Sequence, residues 1–160
     1  MKAIAYTDGS YRENKYSYGY VLILETGEAI GYGDCGDDAT WGSMNNIAGE
    51  LLAVFAVLRL VGELGISELL VMHDYTGIGE WANGTWKCKK EATQYYKDTI
   101  GRYRSMGLVV NFKWIRGHKG DEFNTLADKI ASNAYYGETT MKIPDIPTEK
   151  FDKLWNSFKA

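Results

Sequence analysis

Residues 45–61, NNIAGELLAVFAVLRLV, and residues 67–74, SELLVMHD, decide the architecture. In the first stretch Leu51, Val54, Phe55 and Leu58 recur at helical spacing, with Asn45 or Asn46 as a cap and Gly62 and Gly65 as stops. The second is a short apolar run, Leu69 to Met72, that halts at an acid. A helix feeding such a strand is a crossover, so the strand at 67–74 is predicted to run parallel to an earlier one, joined right-handedly. Upstream, residues 2–8 read as a short strand broken by the turn chemistry of Asp8-Gly9-Ser10. A second strand spans 16–25, and Thr26-Gly27-Glu28 turns it into a third at 29–34. Downstream come a short helix and loop within 77–90, a helix at 92–106, a last strand at 108–114 and the loop Gly117-His118-Lys119-Gly120. Asp121 and Glu122 suit the first turn of a helix running to Tyr136, where the helix dipole favours acids. Pro144 and Pro147 mark a linker before a terminal amphipathic helix at 148–158. The expected class is α/β: a mixed sheet of three antiparallel strands followed by parallel strands, covered by helices.

The chain is 160 residues long, which argues for one domain. Its 45% apolar content excludes a disordered or collagen-like chain. Eighteen basic against 21 acidic side chains leave a net charge of −3. A nucleic-acid partner therefore needs a local basic patch or bound cations to offset its phosphates. Cys35 and Cys88 match no zinc or disulfide spacing and no segment reads as a signal peptide or a membrane span, so the expectation is a cytoplasmic monomer.

Four acids resist a bland reading. Asp8 and Asp74 each follow an apolar strand; if those strands are parallel neighbours, both carboxylates face one crevice, where open α/β sheets bind ligands. Glu50 continues the helix row of Val54, Val57 and Val61, and a charge on that partly apolar stripe requires a partner or a metal. Asp128 lies among small residues, Ala127 and Ala131, that let a helix approach a sheet closely. Converging carboxylates without cations repel, whereas an oxygen-rich site suits magnesium or manganese. Two such ions would activate a water and stabilise the leaving oxygen of a phosphodiester. His118, between Gly117 and Gly120, has the chemistry to carry a proton near neutral pH.

In order along the chain, Tyr6-Thr7-Asp8-Gly9-Ser10, Asn46-Ile47-Ala48-Gly49-Glu50-Leu51, His73-Asp74, Trp114-Ile115-Arg116-Gly117-His118 and Leu126-Ala127-Asp128 resemble ribonuclease H of the type 1 class. The resemblance covers residues 2–136 and implies a five-stranded mixed sheet with helices on both faces. It also implies endonucleolytic cleavage of the RNA strand of RNA–DNA hybrids with two magnesium ions. Carried over, Asp8, Glu50, Asp74 and Asp128 are the metal-binding carboxylates, and His118 is the mobile histidine assisting proton transfer and product release. Asn46 is the asparagine that contacts hybrid bases in the minor groove, with Ser10 and Asn45 as further substrate contacts and Asn124 in support. A strongly basic protrusion, present in many bacterial members, is reduced here to residues 81–90, where Trp86, Lys87, Lys89 and Lys90 are left to meet the DNA backbone. No separate hybrid-binding domain is expected before Met1. The expected organisation is a catalytic domain at 1–137, with 138–160 a linker and helix packed on it. The alternatives are an exonuclease, resolvase or integrase core on the same fold, or a hybrid-binding module without catalysis. The loop histidine and Asn46 ahead of Glu50 favour hybrid cleavage over the former, and four mutually repelling acids disfavour the latter.

Overall fold

The computed structural model describes residues 1–37, 46–117 and 121–158, with Asn46 described in its backbone alone. The chain runs β1 (Lys2–Arg12), β2 (Lys15–Leu24), β3 (Ala29–Gly36), α1 (Asn46–Leu64), β4 (Glu68–His73), α2 (Gly77–Ala82), α3 (Glu91–Ser105), β5 (Val109–Trp114), α4 (Glu122–Ala134), β6 (Thr140–Met141) and α5 (Thr148–Ser157). The strands form one sheet in the order β5-β4-β1-β2-β3-β6. β1/β2, β2/β3 and β3/β6 pair antiparallel; β1/β4 and β4/β5 pair parallel.

Strand alternation sorts the core into two layers. Ala3, Ala5, Leu22, Leu24, Leu69 and Val71 face α1 and α3, where Leu51, Val54, Leu58, Tyr96 and Ile100 meet them. Ile4, Tyr6, Val21, Ile23, Leu70 and Met72 face the other way, onto Phe123, Ala127 and Ile130 of α4 and Phe151 of α5. β4 is apolar at consecutive positions because both of its faces are covered.

Three expectations are corrected. Asp8-Gly9-Ser10 is not a turn: β1 continues to Arg12, paired with β2 down to Arg12↔Lys15. The turn falls instead on Glu13 and Asn14, at φ 49° and 64°, the pair of left-handed residues that a two-residue hairpin requires. Gly62 does not stop α1, which runs on to Leu64; Gly65, at φ 70°, ends it, with Ile66 N–H donating back to the Val61 carbonyl at 3.1 Å. The sheet has six strands, because the start of the expected linker pairs with β3 as Gly31↔Met141 and Tyr32↔Thr140. β6 spans two residues, too few to leave a period in the sequence. Beyond it, Ile146 N–H donates to the Gly27 carbonyl at 2.8 Å, and α5 lays Phe151 into the core. Lys113 Nζ of β5 then donates to the Ser157 carbonyl at 2.9 Å.

Candidate active site

The site forms where the sheet becomes uneven. β1 and β4 run side by side only as far as Thr7↔His73. β4 stops there and releases Asp74, whereas β1 continues with β2 and carries Asp8 just past its parallel neighbour's end. Asp8 and Asp74 therefore meet because one strand outlasts the other.

Glu50 arrives from the first turns of α1, which rests directly on the backbone of the hairpin. A Cβ at Gly9 would overlap the Glu50 nitrogen and the Gly49 carbonyl carbon, and one at Gly49 would overlap the Ser17 carbonyl oxygen. Neither glycine has a positive φ, so their requirement is clearance between backbones. Gly9 N–H donates to Asp8 Oδ1 at 3.0 Å and also to the Glu50 carboxylate, joining strand and helix at the site. α4 reaches the sheet in the same manner. A Cβ at Gly19 of β2 would overlap the Ala127 carbonyl oxygen, so the small residues around Asp128 do permit close approach. Asp121 caps α4, its Oδ1 accepting from Phe123 N–H at 3.0 Å and Asn124 N–H at 2.9 Å.

One carboxylate oxygen from each of Asp8, Glu50 and Asp74 lies within 4.8 Å of the others. Asp128 adjoins this triplet through a side-chain hydrogen bond with Asp8. Asp8 and Glu50 are only 5% and 7% exposed, and Glu50 Oε2 is buried without a hydrogen-bond partner. Burial, reinforced by the Asp74 charge and the Asp128 contact, pushes Asp8 up from 3.8 to about 8. Burial, followed by Asp8 and Asp74, likewise raises Glu50 well above the usual carboxylate range. A divalent cation held by these carboxylates would replace the retained protons and take the orphaned Glu50 oxygen as a ligand. An oxygen-only donor set is that of a hard cation.

The other sequence-predicted residues divide. Ser10, on β1 opposite Ser17, is half-buried and accepts a hydrogen bond from Tyr135 Oη at 3.2 Å. Asn124 is 1% exposed in the first turn of α4, with Oδ1 unpartnered, so it faces the protein interior. Lys87, Lys89 and Lys90 are exposed in the loop between α2 and α3. Trp86, 41% exposed in that loop, packs edge-on to Trp81 at 5.6 Å, and Trp81 leans on Tyr75 at 5.8 Å. His118, Asn45 and the Asn46 side chain lie outside the described residues. Gly9 and Gly49 escaped the sequence reading; flanking two of the acids, in Asp8-Gly9 and Gly49-Glu50, was their only signal.

The RNase H family model covers residues 1–136. Ribonuclease H of Marinobacter nauticus is 30% identical over 140 residues, 82% of this chain and 92% of its own. Ribonuclease HI of Caulobacter vibrioides is 29% identical over 145 residues, 82% and 91% of the two chains. RNase H1 of the halophilic archaeon Halobacterium salinarum shares the fold with a TM-score of 0.71 at 19% identity, covering 86% of this chain and 99% of its own. LC11-RNase H1, solved in complex with an RNA/DNA hybrid, does so with a TM-score of 0.66 at 20% identity, over 83% and 99%. A family model spanning residues 1–136 and a relative 30% identical over most of both chains place the chain in the RNase H family, in its type 1 class.

Proposed function

We propose that the chain is a metal-dependent endoribonuclease that hydrolyses the RNA strand of RNA–DNA hybrids. The observation that carries this reading is the convergence of Asp8, Glu50 and Asp74, with a buried Glu50 oxygen left without a partner. Asp8, Glu50, Asp74 and Asp128 are the residues to hold magnesium, which as a pair of ions supplies a nucleophilic water and charge neutralisation at the leaving oxygen. To hold the ions, Asp8 and Glu50 would release the protons that burial favours on them. Gly9 N–H then holds both carboxylates in place through the hydrogen bonds it already makes.

His118 takes up or delivers the proton that accompanies bond cleavage, as imidazole does near neutral pH. Hybrid recognition is directed to the backbone and is therefore salt-sensitive. The 2′-hydroxyl that separates RNA from DNA is read beside Ser10, Asn45 and Asn46. Lys87 and Lys89 meet phosphates and Trp86 offers a sugar-packing face, while buried Asn124 supports the loop ahead of α4. Among the described residues no helix is long and apolar enough to cross a membrane; the reading is completed by a monomer acting in the cytoplasm.

The test is digestion of end-labelled RNA–DNA hybrid, duplex DNA and single-stranded RNA, with and without magnesium, by the wild type and by Asp74→Asn. Internal cleavage of the hybrid's RNA strand, dependent on magnesium and lost in the variant, is expected. Cleavage of duplex DNA, or full activity in Asp74→Asn, would overturn the proposal.

A further inference from the structure

Asp74 follows the last residue of β4, and β5 and the turn beyond it reach its main chain and its side chain. His73 pairs with Trp114 in the parallel register, and Ile115 N–H donates to the His73 carbonyl at 2.7 Å. One residue further, Trp114 Nε1–H donates to the Asp74 carbonyl at 3.0 Å. The Trp114 side chain remains 51% exposed, an unusual placement for a large aromatic group and a poor one for core packing. On the other side stands Gly117. A Cβ there would lie 2.9 Å from Asp74 Oδ2 and 3.3 Å from the Asp74 Cβ. Gly117 does not occupy the left-handed region, so its backbone can accept alanine. What the glycine provides is room for the carboxylate.

We infer that Trp114 and Gly117 are positioning residues for Asp74. The indole fixes the main chain that carries the acid, and the bare Cα leaves the side chain the one orientation that turns it toward Asp8 and Glu50. In Gly117→Ala the atom that must yield is a side-chain oxygen rather than backbone. The fold survives and the displacement falls on the carboxylate. Trp114→Phe keeps the ring and deletes the donor.

The inference rests on Asp74 being a metal ligand, and the experiment separates the two ideas. Magnesium and manganese affinities of the full chain are measured calorimetrically for wild type, Gly117→Ala, Trp114→Phe and Asp74→Asn. Melting is followed in chelator, and kcat and KM are measured on the hybrid. Partners that orient metal ligands are typically worth about 10–100-fold in metal affinity. Both positioning variants are expected to lose affinity on that scale, with lower kcat, unchanged KM and, for Gly117→Ala, unchanged melting in chelator. If Trp114→Phe does not fold, Gly117→Ala carries the measurement. Wild-type metal affinity in folded Gly117→Ala overturns the inference even where kcat falls, because that loss would then act through the adjacent His118. Full activity in Asp74→Asn would instead remove the underlying assignment.

Discussion

Replacing Asp8 by asparagine should destroy activity and yet strengthen the metal-free protein, by an amount that depends on pH. Folded Asp8 keeps its proton until about pH 8, whereas an ordinary aspartate releases it near 3.8. Between those values the folded state binds more protons than the unfolded state, so stability is full below about pH 4 and drains away as pH rises toward 8. A gap of about four pH units corresponds to roughly 5 kcal/mol. Because Asp8 and Glu50 titrate together, that amount belongs to the pair rather than to one side chain. Asparagine keeps the shape and can still accept from Gly9 N–H through its Oδ1. Its amide can donate to the Glu50 or Asp128 carboxylate. Restoring about half of the pair's deficit gives Asp8→Asn an advantage on the order of 2–3 kcal/mol near pH 8 and almost none near pH 4. Urea unfolding in chelator at several pH values measures it. Magnesium should close the gap near pH 8 by stabilising the wild type alone. A variant no more stable than wild type at about pH 8, or an advantage independent of pH, would refute the argument.

Gly9→Ala forces a Cβ into the backbone of α1. It is expected to cost about 3 kcal/mol or more in chemical denaturation and to abolish cleavage with the same change. Gly101→Ala, on α3 with open space around its added methyl group, is expected to gain about 1 kcal/mol and raise Tm by roughly 2–4 °C without altering activity. His118→Ala is expected to lower kcat by roughly 100-fold with hybrid KM unchanged, read by steady-state kinetics on labelled hybrid.

The parts of this molecule legible in its sequence are those whose signal is local or periodic. α1 announces itself because Leu51, Val54, Phe55 and Leu58 must all face one sheet, and Glu50 stands out because it shares an apolar row. β4 is legible for a related reason: burial on both faces leaves an unbroken apolar run that an acid terminates. What escaped depends on distant pairing. Asp8-Gly9-Ser10 has the chemistry of a turn, but antiparallel register with β2 outweighs it and carries β1 on to Arg12. Gly9 is there for clearance against α1, a partner some forty residues away that no local window contains. Gly62 lies within a helix whose packing tolerates the propensity cost. The carboxylates could be singled out as acids in apolar settings, whereas the Trp114 and Gly117 contacts with Asp74 exist only once β5 lies beside β4.

The residues beyond 136, where the family match ends, change how the molecule should be handled. They lie along one outer margin of the sheet at β3, add Phe151 to the interior and finish against the opposite margin at Lys113, closing the domain like a clasp. During synthesis every acid of the centre leaves the ribosome before that clasp exists, so the nascent chain carries its chemistry ahead of its fastening. A protein trimmed to the homology boundary would retain all four acids but present a bare strand edge and an unfilled hole, the combination that favours clumping over catalysis.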